Sequence, residues 1–187
     1  ETTGLSRGTG TYVFLVGVGQ YYEDSFVIRQ YFLRDLPEEW GMLYLVNELL
    51  SETGVLVTYN GRSFDVPLLE TRFTCSRMQT NILSIPHLDL LHPTRRLWKE
   101  RIGSCALSNV ELQILGVERS GDVSGSMIPS LYFEYLETKN ARPLQPVFYH
   151  NCQDILSLAV LLNHMVWTMD VDCGCKDMQN PGDVYRA

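Results

Sequence analysis

Three separated stretches of the chain carry carboxylates beside residues suited to phosphate chemistry. The first is Glu1-Thr2-Thr3-Gly4-Leu5. The second is Asn60-Gly61-Arg62-Ser63-Phe64-Asp65, directly after a short apolar run. The third is Tyr149-His150-Asn151-Cys152-Gln153-Asp154, at the start of a long apolar-periodic stretch. Each falls where a strand ends or a helix begins, so a mixed sheet can bring the three together. Clustered carboxylates repel one another unless cations neutralise them, and Mg²⁺ or Mn²⁺ prefers oxygen ligands. Two such ions about 3.5–4 Å apart stabilise both the attacking and the leaving oxygen of a phosphodiester under hydrolysis.

The elements that must position these groups follow from hydrophobic patterning. Thr11 to Gly19 and Phe26 to Leu33 are rich in Val, Phe, Tyr and Ile, with Glu23-Asp24-Ser25 between them, which predicts an antiparallel hairpin. Met42, Leu45 and Leu49, with Leu43, Val46 and Leu50, recur at helical spacing, and Thr53-Gly54 stops that helix. Val55-Leu56-Val57 is expected as a strand buried on both faces. A helix from Val66 to Met78 follows, with Asp65 as its N-cap and Pro67 in its first turn. Leu88 to Leu91 is a second short strand. Ser108-x-x-Glu111 matches a capping box opening a helix that stops at Gly116. Helices over Pro129–Glu137 and Asn151–Met169 complete the set. A leading hairpin followed by strand–helix alternation predicts an α/β fold with a mixed central sheet and helices on both faces. The expected organisation is one domain over residues 1–169 and a polar tail or linker over 170–187.

The three acidic segments resemble the Exo I, II and III motifs of the DEDD 3′–5′ exonucleases, which have a ribonuclease H-like fold. That family carries Asp-x-Glu-Thr-Thr-Gly, then Asn-x-x-x-Phe-Asp, then a Tyr or His a few residues before an Asp. The nearest branch is the YprB-type ribonuclease H-like family of bacteria, which the segments His87 to Trp98 and Ser104 to Gly116 also fit. The resemblance covers Glu1 to Met165, with the motifs in order, and places the first Asp of Exo I two residues before Glu1. It implies Glu1, Asp65 and Asp154 as ligands of two Mg²⁺ or Mn²⁺ ions, and a single-stranded 3′ end of DNA or RNA as substrate. It also implies substrate contacts by Thr2, Thr3 and Leu5, with Asn60 bonding to substrate or orienting Asp65. In the family the general base is a Tyr four residues before the Asp or a His five before. Here His150 is four before Asp154 and Tyr149 five before. The position on the helix face favours His150, with Tyr149 as the second candidate.

Each of these residues also has a plainer use. Asp65 alone would be an ordinary helix cap, Asp154 a first-turn acid favoured by the helix dipole, and His150 a packing residue. Asp89 is expected as a strand-end or helix-cap acid, and His87, His92 and His164 as structural. Trp98 either stacks on a base or packs in the core. Arg72, Arg77, Arg95, Arg96, Lys99 and Arg101 face only Asp89 and Glu100 over their stretch, a candidate phosphate track or a solvated face.

Composition bounds the rest. With 45% hydrophobic and 20% charged residues the chain is neither disordered nor fibrous. Fifteen basic against 22 acidic residues give a charge of −7, which argues against a binder held to nucleic acid by bulk charge but not against an enzyme with a local basic strip. The longest apolar stretch, Ile155 to Trp167, is interrupted by Ser157, Asn163 and His164, so no membrane span is expected. No signal-peptide pattern is seen, and five unevenly spaced cysteines suit a reducing cytoplasm better than a disulfide framework. Cys173 and Cys175 are expected as plain thiols in the tail. The principal reading is a two-metal 3′–5′ exonuclease. Its alternatives are an inactive nucleic-acid- or protein-binding module of the same fold, or a structure-specific endonuclease.

Overall fold

The alternating Val, Phe and Tyr residues near the start form an antiparallel hairpin, β1 (Leu15–Tyr22) and β2 (Ser25–Phe32), paired from Leu15↔Phe32 to Tyr22↔Ser25. The computed structural model describes residues 1–4 and 9–172, with side chains to 169. Leu5, the Cys173/Cys175 pair and most of the expected tail therefore lie outside the described residues. Glu23 turns the hairpin at φ 49°, and Ser25 already belongs to the second strand. The strand expected from Thr11 is divided between two partners. Residues 12–14 pair instead with the first residues of the chain: Thr3 N donates to Tyr12 O (2.9 Å), Phe14 N donates to Glu1 O (3.0 Å), and Thr2 bridges Val13. Phe14 O in turn accepts from Leu33 N (2.7 Å), so Phe14 links Glu1 to the hairpin.

Helix α1 (Glu39–Ser51) follows, then β3 (Leu56–Thr58), α2 (Asp65–Cys75) and β4 (His87–Asp89), with β3 and β4 parallel. A parallel pair needs a crossover, and α2 supplies it. Val55, expected inside a doubly buried strand, is exposed, and Leu56 to Thr58 are half-buried, because β4 is the one strand paired with β3 among the described residues. Helix α3 (Leu91–Ile102) leaves β4 at once. Helix α4 (Leu107–Val110) continues as a π turn over Glu111–Leu115 and stops at Gly116 in the left-handed conformation, as expected. The capping box is not formed. The cap position is Ala106, and the Glu111 side chain is engaged elsewhere. Helices α5 (Ile128–Thr138) and α6 (Gln145–Asp172) close the fold. The architecture is thus mixed α/β, with helices flanking small sheets, as the sequence predicts.

The larger core gathers Phe14, Leu33, Leu43, Phe73 and Tyr132. The Phe14 and Tyr132 rings stack at 4.0 Å, and Tyr132 donates to Leu33 O (2.9 Å), which satisfies its buried hydroxyl. A second cluster joins Leu90, Trp98, Val110, Leu161 and Met165. Trp98 is therefore a core residue beside His164 (5.7 Å between rings), and is not available to stack on a base.

Helix α6 lies directly on β1, and two glycines make room for it. A β-carbon on Gly17 would run into the Asn151 side chain and Ile155, and one on Gly19 into Phe26 and Ile155. Gly17→Ala is therefore expected to cost about 1–3 kcal/mol, the range for overpacking a well-filled contact. Thermal melting checks this; an unchanged Tm would mean that α6 does not rest on the strand.

Candidate metal centre

Asp89 organises the loop that presents Asp65. Buried at the end of β4, it accepts hydrogen bonds from Asn60 N (2.7 Å), Arg62 N (3.1 Å) and Leu91 N (3.1 Å). It thus clamps the turn after β3 and also caps α3, a fuller version of the capping role expected for it. Asn60 sits at φ 62°, a left-handed conformation that asparagine tolerates better than most residues. The chain then reaches Asp65, which is the first residue of α2, not its cap; Phe64 occupies the cap position. His87, on β4, is hydrogen-bonded to Thr58 Oγ1 (2.8 Å), a structural use.

The opposite wall is α6. It begins at Gln145, six residues before the predicted start, so His150 and Asp154 lie on successive turns of one face. Gln30 on β2 fixes that first turn, donating to Phe148 O (2.9 Å) and to Asn151 Oδ1 (3.0 Å). Glu1 completes the arrangement from the strand edge. Glu1, His150 and Asp154 each offer a ligand atom, and these atoms lie within 4.8 Å of one another. Asp65 stands outside this trio but near it, since the Glu1 charge acts on both Asp65 and Asp154. Tyr149, the second candidate for the base, is exposed at the start of the same helix. Thr2 Oγ1 donates to Gly4 O (2.9 Å) and Thr3 Oγ1 accepts from Tyr12 N (2.9 Å), so both hydroxyls are used within the strand edge.

The electrostatics are those of an acid cluster. Asp65 is open to solvent on one side, yet the protein around it displaces enough water to raise its pKa. Repulsion from Glu1 and Asp89 raises it further. Asp154 is likewise raised by desolvation and by Glu1, although hydrogen bonding to Arg119 and the charges of Arg119 and His150 pull the other way.

Arg119, Glu111 and Asp122 are the residues that sequence reasoning missed. Arg119 donates from Nε to Glu111 Oε2 (2.8 Å), from Nη2 to Glu111 Oε1 and Asp154 Oδ1 (both 2.5 Å), and from Nη1 to Asp122 Oδ2 (3.1 Å). Burial opposes its charge, but the bonds to Glu111 and Asp154 outweigh this and raise its pKa. The two oxygens of Asp122 stand 2.8 and 3.0 Å from His150 Nδ1, and those of Asp154 are divided between Arg119 and His150 Nε2 (3.6 Å). Burial disfavours the Asp122 carboxylate, yet the bonds from His150 and Arg119 prevail and hold its pKa below the ordinary value. The six-cation track also needs correction. Arg72 is buried against Glu39 in a bidentate pair, donates to Thr9 O (2.6 Å) and lies over the Tyr12 ring (4.1 Å). It therefore serves the fold.

A carboxylate–histidine cluster thus lies where a strand edge meets a long helix, beside a strand–helix loop. The chain belongs to the RNase_H superfamily, whose family model matches residues 1–166. It is 40% identical over 168 residues to the uncharacterized protein YprB of Bacillus subtilis (strain 168). The match covers 88% of this chain and 40% of that protein, so the chain spans well under half of its relative's length. Members of the superfamily are usually nucleases and usually bind divalent metal ions. No helix among the described residues is long and apolar enough to cross a membrane.

Proposed function

We propose that this domain is a divalent-metal-dependent 3′–5′ exonuclease acting on single-stranded DNA or RNA. The observation that carries the reading is the convergence of Glu1, His150 and Asp154 from the two ends of the chain to within 4.8 Å. The donor set fits Mg²⁺ or Mn²⁺: it is oxygen-rich, and the pKa of both Asp65 and Asp154 is raised, first by desolvation and then by repulsion from Glu1. Glu1, Asp65 and Asp154 would hold the ions, which when bound supply charge to the attacking and leaving oxygens.

His150 is the base in this account. Asp122 can only accept a hydrogen bond in its ionised form, so it favours the proton on Nδ1 and leaves Nε2 as the nitrogen that would serve as base. Nε2 takes a proton from water as its oxygen bonds to the terminal phosphorus. The bond to the 3′ oxygen breaks, and that oxygen is protonated as it leaves with the shortened strand. The released product is a nucleoside 5′-monophosphate. Asp122 acts by positioning the ring and stabilising the imidazolium. His150→Ala is accordingly expected to lower kcat about 10²–10⁴-fold, read by initial rates at saturating substrate. Tyr149→Phe should change kcat little. The opposite ranking would transfer the role of base to Tyr149.

A second reading, an inactive binding module of the same fold, is favoured by the Arg119–Asp154 pair, which already neutralises one proposed ligand. Mn²⁺ titration by calorimetry separates the two. Binding that is lost in Asp154→Asn supports the nuclease, and no binding supports the module. Cleavage of a circular single strand would instead indicate an endonuclease.

A further inference from the structure

A cleft of about 610 Å³ opens beside the Asn60 loop, on the side of β3 and α3. Arg95 and Lys99 line it, one helical turn apart on α3, where side chains are about 5–6 Å apart at Cβ. The inward face of α3 is fixed by buried Leu91, Thr94 and Trp98, so the two cations are held toward solvent. The far wall is the turn from Gly103 to Leu107. It is preformed: Tyr59 OH donates to Cys105 O (2.7 Å), and Asn109 Nδ2 donates to Ser104 O (2.7 Å). Among the described residues, no acid lines the cleft. Neither Arg95 nor Lys99 has an ion-pair or hydrogen-bond partner among the described residues, whereas Arg34, Arg72 and Arg119 are all matched to carboxylates. On a chain of net charge −7, two uncompensated cations aimed into one preformed cleft call for an anion. Asn60 ties the cleft to the metal centre, since it lines the cleft and opens the Asp89-clamped loop that leads to Asp65.

We propose that this cleft is a phosphodiester-binding subsite, in which Arg95 and Lys99 hold backbone phosphates of a single strand whose 3′ end lies at the carboxylates. The subsite rests on the nuclease reading for its occupant. Two phosphates neutralised on a single strand correspond to a salt slope of about 1.4 in log K against log[salt].

The test uses fluorescein-labelled dT and rU 12-mers in EDTA, with binding followed by anisotropy from low to moderate salt. The Arg95→Ala/Lys99→Ala variant should bind at least about tenfold more weakly and lose roughly one to 1.4 units of salt slope. A control, Arg34→Ala/Arg142→Ala, removes the same charge elsewhere and should bind within about twofold of the unsubstituted chain. Arg95→Lys/Lys99→Arg should restore most of the loss. The dT and rU arms report whether the strand is DNA, RNA or either. In parallel, Mn²⁺-dependent hydrolysis of thymidine 5′-(p-nitrophenyl phosphate), which reaches only the carboxylates, should be equal in both variants. Unchanged 12-mer affinity and slope in Arg95→Ala/Lys99→Ala, or an equal loss in the control, would overturn the subsite. Absence of nitrophenyl ester hydrolysis by the unsubstituted chain would overturn the nuclease reading instead, and the binding comparison would still decide the cleft.

Discussion

Asp65→Asn is expected to reduce Mn²⁺-dependent nucleotide release by roughly 10²–10³-fold or more, the scale at which loss of one preorganised charged group acts. An amide keeps the shape of the carboxylate but cannot supply its charge. The same substitution should raise the Tm of the metal-free chain at neutral pH. Desolvation, with repulsion from Glu1 and Asp89, raises the folded-state pKa of Asp65 above its unfolded value. The native state then holds the proton more tightly than the unfolded state. Stability contributed this way is complete below the unfolded value and is lost as pH rises through the folded one. At neutral pH the ionised group therefore costs stability, and asparagine removes that cost. Melting curves at neutral and at strongly acidic pH check the sign, since the gain should vanish in acid. Loss of activity with a lowered Tm would mean that Asp65 is a structural acid.

Arg119→Ala should be the most destabilising single change at the site. It leaves Glu111, whose side chain is 1% exposed, with no counter-charge, and also strips a partner from Asp122 and Asp154. Breaking a buried ion pair by removing one member costs about 3–5 kcal/mol. For a chain of this size that is a fall in Tm of roughly 10 °C. Arg119→Ala/Glu111→Gln should recover part of the loss, because it removes the stranded charge. Asp154→Asn keeps an oxygen that can accept from Arg119, and because burial raises the Asp154 pKa it should, like Asp65→Asn, raise the Tm of the metal-free chain at neutral pH. A double variant no more stable than Arg119→Ala would show that Glu111 is not the group that Arg119 neutralises.

The carboxylates were legible because each sits in a short motif whose spacing survives in sequence. Asn60, Phe64 and Asp65 lie within one turn, and His150 and Asp154 within one helical period. The Arg119 network was not legible for the opposite reason. Arg119 and Asp122 lie in a loop with no periodic pattern, and their partners Glu111 and Asp154 come from other elements. Glu111 did carry a signal, and it misled. Three residues after Ser108 it completes a capping box on paper, but its carboxylate gains more from a buried arginine than from a helix end. The cation-rich stretch failed in a similar way. Charge along the chain does not reveal which face a helix buries, and Arg72 turns inward to Glu39 while Arg95 and Lys99 turn outward. The hairpin, α1, α2 and the long last helix followed their hydrophobic periods. The early strand was misjudged because residues 12–14 prefer the strand edge that carries Glu1.

Digestion of a single strand labelled in turn at its 3′ and its 5′ end, in Mn²⁺ and against Asp65→Asn and Asp154→Asn, decides whether these carboxylates drive hydrolysis from the 3′ end. The 3′ label should be released at once as a mononucleotide, the 5′ label should pass through a ladder of shortening strands, and both variants should do neither. Release of the 5′ label first, or equal turnover by a folded Asp154→Asn chain, would contradict the exonuclease reading.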